Sequence, residues 1–136
     1  MHRTVRGLLL IALLVGLLAA CGPQALGPEE TASAFLQAMA NQEFAEAHKL
    51  LSPDSQASVT AEDFQRMLTD SWKSSDISAI QVKSVEKVVL SHSGTRASVP
   101  YEITITTTDG ETADIFNALS LVFHNGQWGV IWPPLH

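Results

Sequence analysis

Cysteine occurs once in the chain, at Cys21, so no disulfide can form within a monomer and the fold must hold by packing. Basic residues are scarce as well, eight Lys and Arg against fourteen Asp and Glu, for a formal net charge of −6. Past residue 20 they are Lys49, Arg66, Lys73, Lys83, Lys87 and Arg96, scattered singly. That excludes the basic patch which nucleic acid or an anionic lipid surface would need. Histidine never recurs at ligand spacing on one helix: His92 and His124 fall in or beside different turns, and His136 is terminal. No metal and no cofactor are therefore expected. Internal repeats are absent, and the longest apolar run, Leu8 to Leu18, falls short of the ~20 residues of a membrane-crossing helix.

That run carries information of its own. Arg3 and Arg6 precede it, only Gly16 interrupts it, and Leu18-Ala19-Ala20-Cys21 closes it, the layout of a cleaved export signal. The pattern resembles the lipobox of bacterial lipoproteins, which implies cleavage before Cys21, diacylation of its sulfur and acylation of the new N-terminus. Two or three acyl chains anchor firmly where one holds only marginally. Residues 1-20 are thus expected to be a lipoprotein signal peptide, 21-27 a lipid-anchored tether rich in Gly and Pro, and 28-136 a single domain. Cleavage removes two basic residues and no carboxylate, which takes the formal charge from −6 to −8. Gly22 rather than aspartate follows the cysteine; by resemblance to enterobacterial sorting signals it lacks the mark for inner-membrane retention. The expected location is the extracytoplasmic side of the cell membrane or outer membrane, with the membrane as partner through the acyl chains.

The mature chain reads as helices and then strands, an α+β arrangement. Pro28 with Glu29 and Glu30 opens a helix by pre-setting φ and placing carboxylates at the positive end of the dipole. Ala32, Phe35, Leu36 and Met39 share one face of it. After a break at Asn41-Gln42, Phe44, Ala47, Leu50 and Leu51 form a second helix, stopped at Ser52-Pro53. Thr60-Ala61-Glu62-Asp63 caps a third, with Phe64, Met67 and Leu68 on one face and Trp72 at its end. Beyond Asp76 the period becomes two, and turns at Ser93-Gly94, Asp109-Gly110 and Asn125-Gly126 predict a four-stranded antiparallel meander. Strands of about 14 residues must twist and curl. The helices then lie in the concave face and leave a cone lined by Phe35, Met39, Phe64, Leu68, Tyr101, Ile103 and Phe116. An Asn125-Gly126 turn should pair Phe123 with Trp128, Leu121 with Val130 and Leu119 with Trp132. The third strand is apolar on both faces, which suggests that the outer face of the sheet packs on a second copy, a homodimer.

Three helices followed by four strands, Asn117-Ala118-Leu119-Ser120-Leu121-Val122, and His124-Asn125-Gly126-Gln127-Trp128-Gly129-Val130-Ile131-Trp132-Pro133-Pro134-Leu135 together resemble the nuclear transport factor 2-like domain at the N-terminus of some penicillin-binding transpeptidases. Thr31 to Phe35, Asn41-Gln42-Glu43-Phe44 and Leu50-Leu51-Ser52-Pro53 agree in type with the opening helices of that family. In the family the Trp-x-Pro segment leads into a further domain, whereas here the sequence ends at His136; a transpeptidase nucleophile motif of the Ser-x-x-Lys kind is not expected, and penicillin-binding activity is therefore not implied. Small free-standing bacterial lipoproteins of the same fold are also similar.

The superfamily includes enzymes such as ketosteroid isomerase, scytalone dehydratase and SnoaL-type cyclases, which use a carboxylate or histidine base inside the cone. Such work needs a desolvated base and a donor for the developing oxyanion. His48 sits one position off the apolar row of its helix, Tyr101 reads as a core aromatic with its hydroxyl at the rim, and Asp114 lies near a turn. Asn117 brings no base, Asp63 is a cap residue, and Asp70 is an exposed helical one. None is expected to be catalytic. The expected function is a noncatalytic domain binding a small apolar ligand or an envelope protein, with a SnoaL-type lyase or isomerase and an accessory factor of cell-wall machinery as alternatives. Cys21→Ser should abolish incorporation of labelled fatty acid into the protein; undiminished labelling of the variant would refute lipid anchoring.

Overall fold

The computed structural model describes residues 25–134. The signal segment and the acylation site at Cys21 lie outside the described residues. Four helices lead into the sheet: α1 (Pro28–Ala40), α2 (Phe44–Lys49), α3 (Pro53–Ser58) and α4 (Ala61–Ser74). Gly27 enters α1 extended, Pro28 begins it, and Thr31 donates both its N–H and its hydroxyl to Gly27 O, at 2.9 and 2.8 Å. The second helix ends at Lys49, so Leu50 and Leu51 lie beyond it and not on its face, and Pro53 starts α3. Ser52, in extended conformation, caps α3 by accepting from Ser55 N at 3.3 Å, and Pro53 fills the first position, where a missing N–H costs nothing. Thr60 caps α4 through Asp63 N at 3.1 Å, as the sequence indicates.

The sheet is antiparallel: β1 (Ile77–Val85) and β2 (Val89–Leu90) both pair with β3 (Arg96–Thr107), followed by β4 (Thr112–His124) and β5 (Gln127–Val130). What the sequence presents as one first strand is split at Glu86–Val88, directly opposite Pro100. Pro100 accepts from Glu86 N at 2.8 Å but has no N–H to return, so the ladder cannot continue there. The Val88 N–H left over is taken by the Glu29 carboxylate at 3.0 Å, which ties the gap to the start of α1. All three turn signals hold, with Gly94, Gly110 and Gly126 at positive φ; Asn125 and Gly126, both left-handed, give the two-residue hairpin whose twist suits the strands.

Phe123 pairs with Trp128 and Leu121 with Val130 as expected, but Leu119 does not pair with Trp132. The chain leaves the sheet after Ile131, whose N–H reaches Ser120 O at 2.9 Å, because Trp132 N turns to the Ser55 hydroxyl at 2.9 Å. The corner between α2 and α3 closes the edge of β5. Ser52 N donates to Val130 O at 2.8 Å, Val130 N donates to Leu50 O at 2.9 Å, and Leu51 bridges Val130 in parallel sense. Such closeness demands glycine at 129, where a Cβ would stand 2.5 Å from Ser52 Cα and 2.7 Å from its nitrogen. Both are backbone atoms that cannot swing aside. Gly129→Ala should therefore cost about 1–3 kcal/mol of stability, read as a lowered Tm in thermal denaturation; an unchanged Tm would show that the corner does not rest on β5.

Candidate functional site

Register fixes which residues face the helices. Ala97, Val99, Tyr101, Ile103 and Ile105 of β3 share the concave face with Leu121, Leu119, Asn117, Ile115 and Ala113 of β4, and the alternation runs without a shift. Under the helices this face is closed. Phe35, Leu36, Phe44, Phe64, Leu68 and Trp72 pack with Val99, Leu119 and Leu121 into one buried core. Phe64 lies at its centre with no exposed surface, edge-on to Trp132 at 5.2 Å and to His48 at 5.6 Å.

Of the seven residues expected to line a pocket, Phe35, Phe64 and Leu68 are thus core, while Met39 and Tyr101 are half-buried against it. Ile103 is half-buried farther along β3. Phe116 requires correction. Being an odd number of positions from Leu119, it belongs to the opposite face of the sheet and is 74% exposed. Reading the strand as apolar on both sides concealed this, since periodicity alone does not say which face the helices cover.

Past the helices the concave face continues as an open shelf. Ile80, Val82 and Val85 of β1 still pack against the core, as does Tyr101, but Ile103, Ile105 and Ile115 extend beyond it. Tyr101 and Asn117 are register neighbours and supply the polar groups of this region. Burial raises the Tyr101 phenol above its ordinary pKa, so at neutral pH it is a hydrogen-bond donor and no base. Asn117 Oδ1 accepts from Ala118 N at 2.8 Å.

The bases weighed from sequence lie elsewhere. His48 Nε2 is 2.7 Å from Val59 O; a carbonyl only accepts, so this nitrogen carries the proton, and the ring is held edge-on to Phe64. Asp114 is on the outer face, accepting from the Thr104 hydroxyl at 2.6 Å. Asp63 pairs with Arg66, and Asp70 is exposed on α4. General-base chemistry would need one of these within hydrogen-bond reach of the shelf.

A second concavity, about 210 Å³, lies between the start of α1, the α2–α3 corner and the β4–β5 hairpin, with Leu26, Lys49, Gln56, His124 and Trp128 on its walls. No spacing could reveal it, because these residues come from four separate stretches of chain. Its polar groups are largely engaged by the protein itself. The Gln56 amide donates to Lys49 O and Leu51 O, and Lys49 pairs with Glu46 at 2.9 Å. Among the described residues, no group of three or more His, Cys, Asp or Glu side chains could hold a metal ion, and no helix is long and apolar enough to cross a membrane.

Comparison with known proteins gives this geometry its place. The model of the NTF2-like N-terminal transpeptidase domain matches residues 27–135, nearly the whole described domain. The chain belongs to that family. No curated protein matches its sequence. Solved structures share the fold at low identity. An NTF2-like protein of unknown function from Burkholderia pseudomallei is 14% identical with a TM-score of 0.51, over 76% of this chain and 86% of its own. A cystatin-like protein from Nostoc punctiforme is 12% identical with a TM-score of 0.53, over 75% and 81%. TerC, crystallised with polyporic acid, is 13% identical with a TM-score of 0.55, over 75% and 86%.

Contrary to expectation, the NTF2-like domain contains one Ser-x-x-Lys spacing, Ser84-Val85-Glu86-Lys87. Ser84 is on β1 and Lys87 in the break after it. The pair therefore lacks the helical turn that would set a lysine beside a serine three residues before it.

Tyr101 is the chain's one tyrosine, so its ionisation can be followed by absorbance without assignment. With a folded pKa above the unfolded one, the phenol contributes stability that is complete below pH ~10 and lost as pH rises through the folded value. The native titration midpoint should exceed that of the denatured chain, and Tyr101→Phe should flatten the loss of stability above pH ~10. Equal native and denatured midpoints would show the phenol to be solvated.

Proposed function

We propose that this NTF2-like domain is a noncatalytic binding module, held at the extracytoplasmic membrane face by acyl chains on Cys21, whose shelf takes an apolar group from an envelope partner. The observation that carries the reading is the division of the concave face: packed core under the helices, and beyond them Ile103, Ile105 and Ile115 with Tyr101 and Asn117 and none of the weighed bases. Apolar surface with a single phenol and amide beside it suits holding an apolar group by contact better than moving a proton. The family is named for domains of transpeptidases, which favours a partner in cell-wall machinery. A SnoaL-type lyase or isomerase would need His48 to leave Val59 and Phe64, and nothing in the site draws it away.

Complementation of a deletion strain at matched protein abundance tests the proposal. Ile103→Glu, which puts a charge on the shelf at a half-buried position, should fail, while Tyr101→Phe and His48→Ala should restore the phenotype. Failure of either of those two with folding intact would transfer the role to a chemically active side chain.

A further inference from the structure

The described chain begins at one end of the sheet. Leu26 lines the same concavity as His124, Gln127 and Trp128, at the tip of the β4–β5 hairpin. The tip between β2 and β3 lies at that end too, since Arg96 pairs with Val122 and Thr95 O accepts from Phe123 N at 2.8 Å. The other end is roughly 35 Å away along β3. There Thr108 N donates to Asp76 O at 2.8 Å, beside the Asp109–Gly110 turn.

Charge and apolar surface are divided between the two ends. Residues 87–101 and 115–136, which include both hairpin tips of the first end, contain no Asp or Glu but hold Lys87, His92, Arg96 and His124. Asp76, Asp109, Glu111 and Asp114 are gathered at the second end, with Lys73 beside Asp76 and Thr108. Large apolar side chains that face solvent favour the first end: Leu26, Val89, Leu90 and Phe123 are 42–63% exposed, while Ile115 and Phe116 lie toward the second.

We infer that the first end is the face this domain lays on the bilayer, with the tips Ser91–Arg96 and Phe123–Trp128 among the lipid headgroups, Leu26, Leu90 and Phe123 in the interface, and the carboxylate end pointing away. The inference rests on the acyl anchor proposed at Cys21. Four peptide units join Cys21 to Ala25, a reach of at most about 14 Å, so the anchor keeps this end close to the lipid. The bases are too few to hold a membrane by themselves. With the acyl chains supplying the hold, a modest preference between ends is enough to set the orientation, and an amphipathic ring such as Trp128 suits headgroup level. Of the carboxylates near the tether, Glu29 accepts from Val88 N and Glu46 pairs with Lys49; Glu30 and Asp54 are exposed at the starts of α1 and α3, not on the tips. Ile103, Ile105 and Ile115 belong to the half of the hairpin nearer the second end, so this orientation holds the shelf clear of the lipid and open to a partner.

Acylated protein in vesicles of phosphatidylcholine and phosphatidylglycerol tests the orientation. The Cys21 sulfur is blocked by its acyl chain, so the thiol introduced by Ser93→Cys or by Thr108→Cys is the one that takes a thiol-reactive dye. A nitroxide on the lipid headgroup, which quenches on contact, should quench the dye on the Ser93→Cys variant and leave that on the Thr108→Cys variant unchanged. Leu90→Glu with Phe123→Glu, both at exposed positions, should abolish the quenching in the Ser93→Cys variant while the protein still floats with the vesicles. Equal quenching of the two dyes, quenching in the Thr108→Cys variant alone, or quenching unmoved by the two added charges would overturn the inference and leave the anchor standing. Protein that does not float would refute the anchor itself, and the orientation with it.

Discussion

Helices and sheet in this protein are joined by backbone, and the rest of the structure hangs on that junction. At the turn between α2 and α3, Leu50 O and Ser52 N pair with Val130 as an added strand would, and Gly129 allows the approach by having no side chain. Several features follow. The edge of β5 is covered instead of left as a template for aggregation. The buried Ser52–Ser55 pair, linked at 2.9 Å, comes within reach of Trp132 N and draws the chain off the sheet. Trp132 then lies edge-on to Phe64, sealing the centre of the core.

That seal bears on function. A cone whose middle holds Phe64, Leu68 and Trp72 offers little enclosed volume, and interiors packed to this degree accept no guest without displacing side chains. What apolar surface of this face stays open lies on the stretch of β3 and β4 that outruns the helices. The domain thus keeps the architecture its relatives share while presenting an open surface, in line with the general rule that fold and function are set separately.

The two faces of the β3–β4 hairpin have different characters for one reason, the strict alternation of side chains along an unshifted ladder. Odd positions run from buried Val99 and Leu119 to the shelf at Ile103 and Ile115. Even positions run from the serines at 98 and 120 to Phe116.

The amino-acid sequence alone determined the α+β class, the helix starts at Pro28 and Thr60, the three glycine turns and the pairing of Phe123 with Trp128, because each depends on residues close together in the chain. The break of the first strand at Glu86–Val88 is not read from the sequence, because Pro100, which causes it, lies well after it in the chain and acts only through the register. Tertiary structure decided the rest. It turned the helix stop at Pro53 into a helix start, took Trp132 out of the sheet, set Phe116 outside the cone and closed the cone's centre. Each of these turns on which face of an element meets which neighbour, and periodicity gives two faces without saying which one is covered.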